Sequence, residues 1–129
     1  MAKILVVDDE IEVCDSLRDF LQQEGHEVVT LTNGEEALAL LDKEKPDLTL
    51  LDIRLSGISG MDVLRRARAM DEKLQVMMIT ALEDDVLMHY AMELGAIDYI
   101  IKPFTTDYLT KILSGKISEI FGNKDQSEK

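Results

Sequence analysis

Residues 4–10 read ILVVDDE: an apolar run, Ile4, Leu5, Val6 and Val7, that stops without transition at Asp8, Asp9 and Glu10. A short continuous run rich in β-branched residues reads as a strand buried on both faces. Three acids at the mouth of such a strand are costly. Two carboxylates about 4 Å apart repel by about 4 kcal/mol at an effective dielectric near 20. Each also pushes its neighbour's pKa up. The rest of the chain has to supply the relief.

Moving outward from this stretch, one pattern recurs: apolar run, loop, helical periodicity, then Gly or Pro. The strand over 3–7 leads to a helix over 11–24, with Val13, Leu17, Phe20 and Leu21 at helical spacing and Gly25 as its stop. A strand over 27–31 precedes a helix opening at NGEEALALLDKEK, where Asn33 caps and Glu36 has the spacing to reach back. Pro46 closes that helix, because the residue before a proline avoids helical angles. The third strand, 47–51, ends in Asp52. The loop IRLSGISG then leads to a helix over 61–70, with Ser59 and Asp62 at capping-box spacing. The fourth strand, 75–79, ends in Thr80, and its helix covers 84–94 with Gly95 as terminator. The fifth, 99–101, ends in Lys102-Pro103. A last helix covers 106–121, with Thr105 or Thr106 as cap, and Gly115 weakens it by up to ~1 kcal/mol relative to Ala. Five strands alternating with five helices imply an α/β domain: a parallel sheet with helices on both faces. This domain is expected over 1–121. The closing GNKDQSEK is polar and aperiodic, which predicts a disordered tail over 122–129.

The bulk numbers agree with one domain of 129 residues. Fourteen basic residues against 26 acidic give a net charge of −12, which opposes direct binding to nucleic acid or to anionic lipid. It suits divalent cations and basic partner surfaces, although acidity also serves solubility alone. The single cysteine, Cys14, excludes an internal disulfide and suits a reducing compartment; it falls on the first helix as a small packing residue. No apolar stretch matches a signal peptide or a membrane span, so the expectation is a cytoplasmic protein. Met77, Met78, Met88 and Met92 read mostly as core filler, and His26 and His89 as surface residues. Glu83, Asp84 and Asp85 read as acids favouring the positive end of the fourth helix.

In an open parallel sheet, ligands bind beyond the carboxyl ends of the strands, where the winding direction switches. The polar residues stand there: Asp8 and Asp9, Asp52, Thr80 and Lys102. Taken singly, each has a bland reading as a strand exit, a turn cap, a strand threonine or a surface lysine. In a doubly wound sheet the first, third, fourth and fifth strands can lie side by side, and these ends then converge. An acidic nest with a lysine and a hydroxyl suits Mg²⁺, which takes one or two carboxylates and completes its shell with water and phosphate oxygens. One carboxylate in such a site can act as a nucleophile and form an aspartyl-phosphate.

At these residues the chain resembles the receiver (CheY-like) domain of two-component response regulators. The resemblance rests on ILVVDDE, PDLTLLDIRL with GISGMDVL behind it, VMMITA and GAIDYIIKPF, in that order and spacing, and it covers residues 2–121. It implies a flavodoxin-like, five-stranded parallel sheet in order 2-1-3-4-5 with five helices. It makes Asp52 the phosphoacceptor, Asp8 and Asp9 the acids that bind Mg²⁺ with Asp52, and Arg54 the source of a backbone carbonyl to the metal. It makes Thr80 the switch hydroxyl, Lys102 the lysine that engages the phosphoryl group, and Tyr99 the aromatic that moves with Thr80. It also implies a cis bond between Lys102 and Pro103, where sequence alone only permits one. The implied partners are a sensor histidine kinase or histidine phosphotransfer protein and a downstream effector, with a phosphorylation-dependent dimer also compatible. The implied activity is a switch that catalyses its own phosphotransfer and slow autodephosphorylation, not an enzyme with turnover.

Ser56 departs from the family, which usually has Pro in this loop, so the loop lacks that fixed φ. The resemblance places Arg54 and Leu82 at two positions that tune dephosphorylation in the family, and a bulky Arg54 with an apolar Leu82 is expected to shield against water. A haloacid-dehalogenase-type phosphatase would need an acid pair two apart after the first strand, which here means Asp8 with Glu10, and would leave Asp52 idle. A flavodoxin-type nucleotide binder would set its phosphate against DDE. A receiver-like module that acts by contact alone stays open on the sequence.

Overall fold

The computed structural model describes residues 2–128, with side chains described through Ile120, so the tail expected over 122–129 lies outside the fully described residues. The elements alternate as follows: β1 Lys3–Val7, α1 Ile11–Gln23, β2 Glu27–Leu31, α2 Gly34–Glu44, β3 Leu48–Asp52, α3 Gly60–Met70, β4 Val76–Ala81, α4 Asp85–Glu93, β5 Asp98–Lys102 and α5 Thr106–Glu128. A short 3-10 turn, Leu82–Asp84, stands between β4 and α4. The five strands form one parallel sheet in order β2-β1-β3-β4-β5. This is the doubly wound, flavodoxin-like arrangement expected from the sequence.

Strand periodicity of two sorts the core into two layers. Ile4, Val6, Leu48, Leu50, Met77, Ile79 and Ile100 face α1 and α5, where Leu17, Phe20, Leu21, Leu109 and Leu113 meet them. Leu5, Val7, Leu51, Val76 and Met78 face the other way, onto Ala37, Leu41, Val63, Leu64, Ala67 and Ala91 of α2, α3 and α4. Because β1, β3 and β4 are covered on both sides, almost every residue in them is buried, which is why they read as unbroken apolar runs.

The helix starts carry side-chain caps at Asn33, Ser59 and Thr105, which accept from the backbone N–H groups of Glu36 (2.8 Å), Asp62 (3.2 Å) and Tyr108 (3.1 Å). The reciprocal half of the expected capping box at Ser59 is not made, because Asp62 turns to Arg65 at 2.6 Å. α2 ends with Lys45 in a left-handed conformation, φ 46°, ahead of Pro46. His26, expected at the surface, is half-buried, and its Nδ1 accepts from the Ala2 backbone at 3.0 Å. Met77 and Met78 are fully buried, while Met92 is largely exposed on α4. Among the described residues, no helix is long and apolar enough to cross a membrane.

α4 differs from the other helices. Ala91 is its one fully buried residue, and Leu82, Val86 and Tyr90 expose 73%, 64% and 55% of their surfaces. Its C-terminal end is tied down by Arg68 of α3, which donates to the carbonyls of Leu94 (3.0 Å) and Gly95 (2.6 Å) as well as Leu74 (2.5 Å).

Candidate functional site

Register brings the strand ends level. Val7 pairs with Leu51, so Asp8 and Asp52 follow side by side; Asp52 in turn pairs with Ile79, and Ala81 with Lys102. Asp8, Asp52 and Lys102 share strand parity with the residues that face α1 and α5. Thr80 shares it with Val76 and Met78, on the α4 side, and Tyr99 packs half-buried in that same layer. Alternation therefore separates a charged trio from a hydroxyl–aromatic pair across the edge of the sheet.

The three opening acids divide between two partners. Asp8 is fully buried; its Oδ1 accepts from the Glu10 backbone N–H at 2.9 Å and its Oδ2 from Lys102 Nζ at 3.0 Å. Asp9 points to solvent and accepts from the Ser56 hydroxyl at 3.0 Å. Glu10 reaches back to Lys102 Nζ at 2.8 Å. Asp52, 4% exposed, accepts from the Arg54 backbone N–H at 3.1 Å and lies 3.4 Å from Lys102 Nζ. One ammonium thus answers three carboxylates, which explains how acids survive at the mouth of a buried strand. The Lys102–Pro103 peptide bond is cis.

The relief is incomplete. Burial, and next the charge of Asp8, push the Asp52 carboxyl up to about 7, against the partial compensation from Lys102 and the Arg54 N–H. Burial also raises Asp8, opposed by its bonds to Glu10 and Lys102. Burial works against the Lys102 charge, yet hydrogen bonds to Glu10 and Asp8 and the field of Asp52 raise its pKa above the ordinary lysine value. Excess negative charge remains. Asp8, Asp9 and Asp52 each offer a carboxylate oxygen within 4.8 Å of the others. Hard oxygen donors in that cluster, at the edge of an open cavity of about 670 Å³, fit a hard divalent cation. The cavity is lined by Asp9, Glu10, Asp52, Arg54, Asp84 and Lys102 among others.

Among the site residues expected from sequence, Asp8, Asp9, Asp52 and Lys102 come together in one cluster. Thr80 stands beside it but buried, its hydroxyl donating to the Ala81 carbonyl at 3.0 Å. Tyr99 is placed on the far side of the sheet edge, one strand away from that hydroxyl. Three features were not read from the sequence. Glu10 serves the lysine, although ammonium-to-acid pairing was the signal that could have shown it. Ser56 holds Asp9. Asp84, read as a helix-terminus acid, is instead buried at 4% exposure and binds the Arg54 guanidinium, with Nε to Oδ1 at 2.7 Å. The Arg54 side chain consequently lies against the β4–α4 turn, while Leu82 is 73% exposed.

The response regulator receiver domain family matches this chain over residues 4–114. This chain belongs to that family. The receiver domain is 36% identical over 105 residues to sporulation initiation phosphotransferase F of Bacillus subtilis, spanning 81% of this chain and 85% of that protein. It is 39% identical to the transcriptional regulatory protein AfsQ1 of Streptomyces coelicolor, over 80% of this chain but 45% of the relative. Among solved structures, the receiver domain of NtrX from Brucella abortus superimposes with a TM-score of 0.81 at 35% identity, covering 86% of this chain and 94% of that one. Longer NtrX reaches 0.89 at 32% identity, and there the receiver spans only 29% of the chain. Membership sets aside the phosphatase and nucleotide-binder readings. It also accords with Glu10 being spent on Lys102, where a dehalogenase-type acid would have to be free.

Proposed function

We propose that this receiver domain is a phosphorylation-operated switch with Asp52 as phosphoacceptor. The observation that carries the reading is the convergence of Asp8, Glu10 and Asp52 on Lys102 beside the open three-acid cluster. The donor is a phosphohistidine on a sensor kinase or a histidine phosphotransfer protein. An Asp52 oxygen bonds to phosphorus as the N–P bond breaks, and the departing imidazole keeps that electron pair and takes up a proton. Asp8, Asp9, Asp52 and the Arg54 backbone carbonyl would hold Mg²⁺. When bound, the ion supplies charge neutralisation for Asp52 and for the transferred group. Lys102 stabilises the equatorial oxygens from the other side.

The product carries about two negative charges at the sheet edge. Thr80, a buried hydroxyl on the strand beside Asp52, turns from Ala81 to the new oxygens, and Tyr99 moves into the space it leaves. The surface of α4, β5 and α5 changes, and an effector reads it. Phosphorylation must favour the active arrangement by ~5 kcal/mol to carry the population from mostly off to mostly on. Charge-assisted hydrogen bonds supply energy of that order. The receiver unit covers 1–121, and it acts either alone or joined to an effector; phosphoryl loss is slow self-catalysed hydrolysis, not turnover.

The test is intact mass after incubation with acetyl phosphate, with and without Mg²⁺, for the native chain and for Asp52→Asn. A single phosphoryl adduct that needs both Mg²⁺ and Asp52 is expected. An unmodified native chain, or an equal adduct on Asp52→Asn, refutes the reading.

A further inference from the structure

Two arginines hold α4 at its two ends, and they hold it differently. Arg68 binds only backbone carbonyls at the C-terminal end, neutral partners that no charge at the sheet edge alters. Arg54 binds the N-terminal end through Asp84, the residue directly before α4, and its partner there is a buried carboxylate. Arg54 also follows the phosphoacceptor by two residues, its own backbone N–H is bonded to Asp52, and its guanidinium already feels the Asp52 charge. The side chain is 69% exposed. Between its ends α4 has little grip on the core, with Ala91 its one fully buried residue.

We propose that Arg54 is a charge-operated latch: its guanidinium holds Asp84 while Asp52 is unmodified and transfers to the phosphoryl oxygens once Asp52 is phosphorylated, releasing the 82–84 turn and the N-terminal half of α4. This rests on Asp52 being the phosphoacceptor. A carboxylate offers one full charge at most, whereas the aspartyl-phosphate offers about two charges and three strong acceptor oxygens. A planar guanidinium engages such oxygens in pairs. In this scheme the guanidinium leaves the single charge of Asp84 for the larger charge of the phosphoryl group. Asp84, left without its cation, cannot stay buried as an ion and moves toward water, taking the turn with it. Leu82 and Val86 already face solvent, so their side chains do not oppose the movement. Arg68 keeps the other end fixed, so the motion is a pivot rather than a detachment. Arg54 is a positioning residue in this scheme. It acts on the output surface through Asp84.

Amide hydrogen exchange across 82–90, read with and without acetyl phosphate and Mg²⁺, tests the latch; intact mass on the same samples reports the adduct. In the native chain, phosphorylation is expected to speed exchange there by about fivefold or more, while 94–97, held by Arg68, stays unchanged. Asp84→Asn and Arg54→Gln are expected to exchange fast before phosphorylation and to show no further rise after it. Arg54→Lys, which keeps the charge but not the fork, should retain a reduced response. A merely structural ion pair would raise exchange in the variants but leave the phosphorylation response intact, and that result overturns the latch. So does an adducted native chain with unaltered exchange over 82–90. A native chain that takes no adduct overturns the phosphoacceptor reading and the latch together. Should Asp84→Asn fail to fold, Arg54→Gln, at an exposed side chain, carries the same comparison.

Discussion

Asp52→Asn should make the metal-free protein more stable, and the gain should depend on pH in a defined way. In the folded chain the Asp52 carboxyl is pushed from its ordinary 3.8 up to about 7, chiefly by burial and then by Asp8. In the unfolded chain it titrates near 3.8. Between those values the folded state holds a proton that the unfolded state has released, so stability falls as pH rises through that window. A shift of about three units corresponds to ~4 kcal/mol if the folded group is fully shielded. The cleft is open to solvent, and screening there lowers the expected gain to ~2 kcal/mol. Asparagine keeps an acceptor for the Arg54 N–H at 3.1 Å and removes the charge that burial penalises.

The two proteins should therefore differ least at pH 4, where Asp52 is protonated in the folded native chain and about half ionised in the unfolded one. They should diverge through pH 5 and 6 and reach the full difference by pH 8. At this chain length ~2 kcal/mol corresponds to a Tm gain of roughly 8 °C. Urea unfolding of both chains in a chelator, at half-unit steps from pH 4 to 8, measures the difference directly. Acids away from the site titrate alike in both and cancel, whereas Asp8 and Lys102, which share the field of Asp52, contribute to the difference. Adding Mg²⁺ should narrow the gap at pH 8, because a cation that binds only the folded native chain stabilises it. A difference that is constant with pH, or a less stable Asp52→Asn protein at pH 8, would refute the account of the site as a charge-crowded nest.

Lys102→Met should act in the opposite sense: with its ammonium gone, buried Asp8 and Asp52 face each other uncompensated, and stability at pH 8 should fall by ~2 kcal/mol in urea unfolding, with a smaller loss at pH 5 where they share protons. Gly60→Ala should cost ~3 kcal/mol or more, since a Cβ there would collide with the Asp52 carbonyl oxygen and displace the end of β3 from α3. Gly115→Ala should gain up to ~1 kcal/mol, because nothing lies within 4 Å of a Cβ at that helix position. Thermal unfolding separates the two glycines by sign.

The fold was legible because its strands are covered on both sides. ILVV and LTLL carry no polar residue that would mark an exposed face, except Thr49, which is itself buried. Parallel pairing then follows from the alternation with helices, and the strand order from the resemblance to receiver domains. The charged cluster was legible for a related reason: β1, β3 and β5 each end their apolar run at a charged residue, and in a doubly wound sheet such strand ends converge. What the sequence hid were choices among partners. Glu10 could have faced solvent, and only the reach of Lys102 across the cleft to 2.8 Å recruits it. Asp84 followed the pattern of acids that favour a helix start, and nothing local distinguishes it from Glu83 or Asp85. Its burial depends on an arginine 30 positions earlier, brought near by the pairing of β3 with β4.

That hidden pair alters what the site is. The visible residues alone make a charged pocket whose energetics end at Lys102. With Arg54 and Asp84 included, the pocket is continuous with the start of the helix that the core grips least. A change of charge at Asp52 then has two routes out. One is through the buried hydroxyl of Thr80, on the α4 side of the sheet; the other is through a guanidinium at the surface. The first route needs a rearrangement inside a packed layer, where side chains have few alternative positions. The second needs only the rotation of an exposed side chain between two anions. If both routes operate, Arg54→Gln should blunt the response of α4's first turn and leave the Tyr99 side of β5 responsive. Tyrosine fluorescence and exchange at 98–102 would then still report phosphorylation while exchange at 82–90 did not. Loss of both signals in Arg54→Gln would mean that the guanidinium route governs the buried one, and that the two are a single switch.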